Sequence, residues 1–156
     1  MVYKEYSWKV TGVGCSAQDA GETISEIEKR DGVVTKESFL EASRPIEAPT
    51  HNAFEWNDSV AAEKYRLEQS GQIIRNLCVK IIKDGKPEKA TAYVNVSKTT
   101  ADKAKYMSLQ VALEDGENRN TVLGNALNEL KAFKRKYERL SELAEVITVI
   151  DKVVRS

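Results

Sequence analysis

The chain has 156 residues, and its 24 Lys and Arg balance 24 Asp and Glu, so a charged fraction of 31% sums to zero. One domain's length, 41% hydrophobic residues and only 8 Gly and 3 Pro exclude collagen-like and disulfide-scaffold classes and argue against wholesale disorder. The zero balance excludes histone-like attachment to nucleic acid by bulk positive charge.

The balance hides an uneven distribution. Residues 1–57 carry six basic and ten acidic side chains (−4), and 58–76 carry three of each. Residues 77–105 carry seven Lys against three acids (+4), 106–120 are at −2 and 121–156 at +2. Cys15 and Cys78 stand 63 positions apart without a local partner; one bridge between them is possible, and the preferred reading is two reduced thiols in a cytosolic protein. The N-terminus has no apolar core of signal-peptide length, and no run is long enough to span a bilayer. The expectation is a cytoplasmic protein that makes no membrane contact.

In chain order, Tyr6, Trp8 and Val10 alternate with polar residues and read as a short strand ended by Gly12 and Gly14. Ser16 can cap a helix over about 17–30, with Ala17, Ala20, Ile24 and Ile27 as its apolar stripe and Asp31-Gly32 as its stop. Thr35 caps a second helix, 36–43, burying Phe39, Leu40 and Ala42 and ending at Arg44-Pro45. After a loop holding Pro45 and Pro49, Asp58 or Ser59 caps a third helix over about 59–75, where Val60, Leu67 and Ile74 recur every seven residues. Residues 77–83 are rich in strand formers, Asp84-Gly85-Lys86-Pro87 is a turn signal, and 90–97 return, which makes a hairpin over about 77–97. Met107, Leu109, Val111 and Leu113 alternate as in a strand, whereas Ser108 suits a helix cap. The preferred reading is a strand to about Met107 and then a short helix.

Leu123, Ala126, Leu130, Phe133, Tyr137, Leu140, Ala144 and Ile147 follow a 3-4 spacing. They predict one amphipathic helix of about 30 residues, ~45 Å long, within 117–156. The fold class expected is α+β and helix-rich. An α+β domain over 1–116 is followed by a long C-terminal helix that either packs on its own domain or forms a coiled coil with a second copy or another partner.

No catalytic constellation emerges. Gly12 and Gly14 lack the rest of a phosphate-cradling motif, and two cysteines with the single His51 do not make a usual zinc site. Neither cysteine has a base placed beside it, and His51 suits a loop-fixing hydrogen bond. Pairs such as Glu26/Glu28 and Glu142/Glu145 read as solvated faces. The expectation is a protein that is not an enzyme and uses no metal or cofactor. Three helices followed by a hairpin is the winged-helix order, in which the third helix enters the major groove. That helix would offer Lys64 and Arg66, and the hairpin Lys80, Lys83, Lys86 and Lys89, as phosphate contacts. The seam from Leu123 to Ile147 would supply a homodimer. Against this stand Glu63 and Glu68 on the reading helix and the long gap between the second and third helices. Two functions are therefore carried forward: a nucleic-acid-binding or regulatory factor, and a protein-interaction module that assembles with itself or docks on a host or viral protein. A plain α+β domain, its sheet covered by helices, is the structural alternative.

The stretch His51-Asn52-Ala53-Phe54-Glu55-Trp56-Asn57-Asp58, followed by Ala61-Ala62, Tyr65-Arg66, Gln69 and Ile74-Arg75, resembles a motif in a group of small uncharacterised proteins of tailed phages and prophages. Residues 126–144, with their Lys-Tyr cluster, resemble the end of the same group. The resemblance spans roughly 24–150, and Asn57 stands where the group's pattern has an acid. It implies viral origin and expression in a bacterial cytosol, and it carries over no catalytic residue. Physically, Phe54 and Trp56 are placed to fold back on the helix that follows, like a hydrophobic staple. Ala61 and Ala62 would let that helix approach a neighbour, and Tyr65, Arg66 and Arg75 would bond loop carbonyls.

Overall fold

The computed structural model describes residues 4–60, 62–99 and 103–155. The chain forms two compact units, one ending at Ala112 and the other beginning at Leu113, four residues before the expected boundary.

The first unit is a mixed α+β domain. Helix α1 (Ala17–Asp31) starts where Ser16 Oγ accepts the Asp19 N–H at 3.0 Å. It stops where Gly32 turns left-handed (φ 81°) and donates its N–H to Glu28. Helix α2 (Lys36–Ser43) opens with a reciprocal capping box between Thr35 and Ser38. Helix α3 (Glu63–Asn76) begins four residues later than expected, and neither Asp58 nor Ser59 caps it. The Asn57 side chain takes the Ser59 N–H and hydroxyl instead, holding 57–60 in a turn. Asp58 is drawn to Arg66. Val60 lies outside the helix and is exposed, so its seven-residue spacing to Leu67 is not a helical stripe. Ala61 falls outside the described residues.

Strands β1 (Tyr6–Trp8), β2 (Leu77–Lys83) and β3 (Lys86–Thr91) form an antiparallel sheet in the order β1-β2-β3. The expected return strand is split. At Ala92 the N–H still donates to Leu77, but the carbonyl accepts from Leu109, and the chain leaves the sheet. Residues beyond it form β4 (Tyr93–Asn95), which pairs with β5 (Tyr106–Ser108). Tyr106 also exchanges two backbone bonds of 2.7 Å with Val34. The β2–β3 ladder ends where Ala92 meets the buried Leu77, and there Tyr93 turns to pair with Ser108, which leaves Ala92, Tyr93 and Tyr106 all buried. Helix α4 (Leu109–Glu114) follows β5 as expected.

Ile24, Val34, Phe39, Leu40, Ile74 and Leu77 are fully buried, each worth roughly 1.5–3 kcal/mol. Ser70 Oγ donates to the Lys36 carbonyl and holds α3 against the start of α2. Among the described residues, no helix is long and apolar enough to cross a membrane.

The second unit is helical, but the expected single helix is broken. Helix α5 (Gly116–Tyr137), capped by Asp115, is followed by a turn and a 3-10 turn (Ser141–Leu143), and then by helix α6 (Ala144–Arg155). The two helices pack antiparallel. Lys134 pairs with Asp151 at 2.5 Å, and Lys131, Lys134 and Arg135 share a groove with Ile150, Val154 and Arg155. An unbroken helix would leave this packing unmade. Folding back brings Ile147 and Ile150 out of water for the loss of a few helical hydrogen bonds.

Candidate nucleic-acid interface

The hairpin turns through Asp84 (φ 51°) and Gly85 (φ 74°), joining Lys83 to Lys86 by a two-residue loop. Two left-handed residues match the twist of the flanking strands, which is why Asp-Gly suits this position. Residues 80–89 are exposed. The register sets Lys80 opposite Lys89 and Lys83 opposite Lys86. Side chains alternate along a strand, so Lys80 and Lys89 share one face with Ile82 and Pro87. Lys83 and Lys86 share the other face with Ile81 and Glu88. The four lysines are thus two cross-strand pairs on opposite faces of a ribbon, not one basic edge. Like charges directly opposite each other repel. Lys80 is partly relieved by Glu5 at 3.0 Å, and Lys89 reaches the Trp8 carbonyl at 3.4 Å. Among the described residues, Lys83 and Lys86 face no carboxylate at ion-pair distance. Ile82, at 69% exposure, is left in water at the same tip.

The third helix departs from the winged-helix expectation. It runs into β2 with no loop, Asn76 to Leu77. Lys64 is exposed on it. Arg66 is not available to a phosphate, because its side chain is only 8% exposed. Its Nε donates to the Glu55 carbonyl at 2.8 Å, its terminal nitrogen binds Asp58 at 2.5 Å, and its guanidinium lies 5.3 Å over the Trp56 ring. Arg66 is a structural clamp on the loop, because desolvating a guanidinium is favourable only where its donors are met.

The same loop places His51. Its Nδ1 lies 3.0 Å from the Ser43 carbonyl, and its ring stacks on Trp56 at 4.8 Å with 6° between planes. The Trp56 Nε1–H donates to the His51 carbonyl at 2.7 Å. Phe54 meets Phe39 edge-on at 5.7 Å inside the core. Of the other residues expected to bond loop carbonyls, Arg75 donates to the Tyr106 hydroxyl and Tyr65 is exposed. The motif residues therefore pack the loop between α2 and α3.

Both cysteines are free. The Cys15 thiol is pushed up to about 11 by burial and by Asp19, the reverse of what a nucleophile requires. A cavity of about 420 Å³ is lined by uncharged residues of the 10–14 segment and by Gln69, Gln72 and Asn76. Among the described residues, no three His, Cys, Asp or Glu converge as metal ligands would.

The predicted dimer seam is not one surface. The break at 138–143 separates Leu123, Ala126, Leu130, Phe133 and Tyr137 on α5 from Leu140 in the turn and from Ala144 and Ile147 on α6. Ile147 is buried, whereas Leu123, Ala126, Leu140 and Ala144 are exposed, and Phe133 tilts against Tyr137 at 4.9 Å. The signals for the break were present in the sequence. Lys134, Arg135 and Lys136 suit a helix C-terminus, and Ser141, Glu142 and Glu145 suit a new N-terminus.

Compared with protein-family models, with curated proteins and with solved structures, the chain matches none of them.

Proposed function

We propose that this chain is a non-enzymatic, DNA-binding or regulatory factor of a tailed phage, acting in the bacterial cytosol through its β2–β3 ribbon. The observation that carries the reading is the pair of Lys–Lys oppositions on the two faces of one exposed hairpin. A protein stabilises such an arrangement poorly by itself, and a polyanion relieves it. The major groove of a DNA duplex is about 12 Å wide and admits a two-stranded ribbon. A ribbon standing edge-on there turns each face to one of the two phosphate strands, so lysines on both faces find partners at once. These are contacts that position rather than read sequence. The phage assignment rests on the resemblance carried by Phe54, Trp56 and Tyr65-Arg66.

The two-faced geometry makes its own test. Lys80→Gln with Lys89→Gln, and separately Lys83→Gln with Lys86→Gln, should each weaken binding to a DNA duplex, measured by fluorescence anisotropy. If only one pair matters, the ribbon lies flat against its ligand and the edge-on reading fails.

A further inference from the structure

We propose that α6 is a self-complementary dimer interface, pairing antiparallel with α6 of a second copy. The inference stands apart from the DNA reading and uses a surface other than the predicted seam. Helix α6 is apolar over an unusually wide arc. Ile150 and Val154 line the groove against α5, and Ile147, one turn earlier on the same side of the helix, is buried. Beside them, Val146, Val149 and Val153 form a second stripe at 3-4 spacing, exposed by 47%, 58% and 45%. One face of a helix suffices to bury it in a two-helix unit, so the second stripe is surplus to the fold.

Charge selects the occupant and its direction. Glu145 and Lys152 stand seven residues apart and so flank the valine stripe on the same side, one near each end of the helix. Val149 lies between them. In an antiparallel pair centred between Thr148 and Val149, Glu145 stands level with Lys152 of the partner subunit, and symmetry repeats the contact at the other end. A parallel pair would set glutamate level with glutamate and lysine with lysine. Antiparallel packing also brings each helix N-terminus beside the other's C-terminus, as the helix dipoles favour. The patch is thus complementary to itself in one orientation only.

Sedimentation equilibrium of the full chain tests this. The expected species at micromolar concentration is twice the 17.5 kDa of one chain. Val149→Lys places a charge at the centre of the stripe and should give a monomer, with circular dichroism unchanged because the site is exposed. Glu145→Lys should weaken the dimer about tenfold, and adding Lys152→Glu should restore it. A wild-type monomer overturns the proposal. So does a dimer insensitive to Val149→Lys, or a charge swap that fails to restore association.

Discussion

Arg66 ties three parts of the loop between α2 and α3 together: the Glu55 carbonyl, the Asp58 carboxylate and the Trp56 ring. Arg66→Ala leaves a half-buried carbonyl unmet and uncovers one side of the indole. It should cost about 2 kcal/mol, read as a lowered urea midpoint with an unchanged slope. Were Arg66 a phosphate contact, the same variant would keep its stability and lose DNA affinity. At Gly21 an added Cβ would lie 2.2 Å from the Tyr6 ring. Gly21→Ala should therefore cost about 1–3 kcal/mol by overpacking, although Ala is the better helix former. Three acids titrate high in the fold: Cys15 at about 11, and Tyr6 and Tyr93 above their ordinary values, all chiefly through burial. The folded state holds these protons more tightly than the unfolded chain does. Their contribution to stability should therefore be full below about pH 8 and fall as pH rises toward 11, and Cys15→Ser should flatten the first part of that fall. A urea midpoint that does not move between pH 8 and pH 11 would contradict this. None of these three roles shows in residue type alone. Arginine on an amphipathic helix reads as solvent-facing, and only the approach of Trp56 from the loop makes position 66 a buried one.

At the scale of elements, the parts written in local chemistry were legible. Ser16, Thr35 and Gly32 mark helix ends through bonds within four residues, and the structure places α1 and α2 at those ends. Asp84-Gly85 marks the hairpin for the same reason. Gly85→Ala strains a left-handed residue by about 1 kcal/mol, and amide exchange at the hairpin tip should quicken roughly fivefold. Where elements answered to distant partners, the sequence pattern misled. The late start of α3 has a local cause of its own, since Asn57 captures Ser59 in a turn that outcompetes the helix cap expected at Asp58 or Ser59; the other two departures depend on distant partners. The second strand of the hairpin divides at Ala92 because Tyr93 belongs to a sheet completed by Tyr106–Ser108. The long C-terminal helix breaks because two antiparallel helices bury isoleucines that one straight helix leaves in water. Its 3-4 periodicity is real, yet it cannot distinguish a seam facing another chain from two helices facing each other.

For the whole molecule, a net charge of zero conceals a +4 segment from which a ribbon of opposed lysines projects. The candidate site was legible in part. The lysines were visible as a basic stretch, whereas their division between two faces depends on register, and Arg66 belongs to the core. Groove insertion, rather than attraction by bulk charge, is the central claim, and the salt dependence of DNA binding tests it most directly. Four lysine–phosphate contacts predict that log K for a duplex falls with log salt concentration with a slope of about −3.6. Replacing Lys80, Lys83, Lys86 and Lys89 together by Glu should abolish both the binding and its salt dependence. Absence of duplex binding by the unaltered chain at low salt, where phosphate contacts are strongest, would contradict the account.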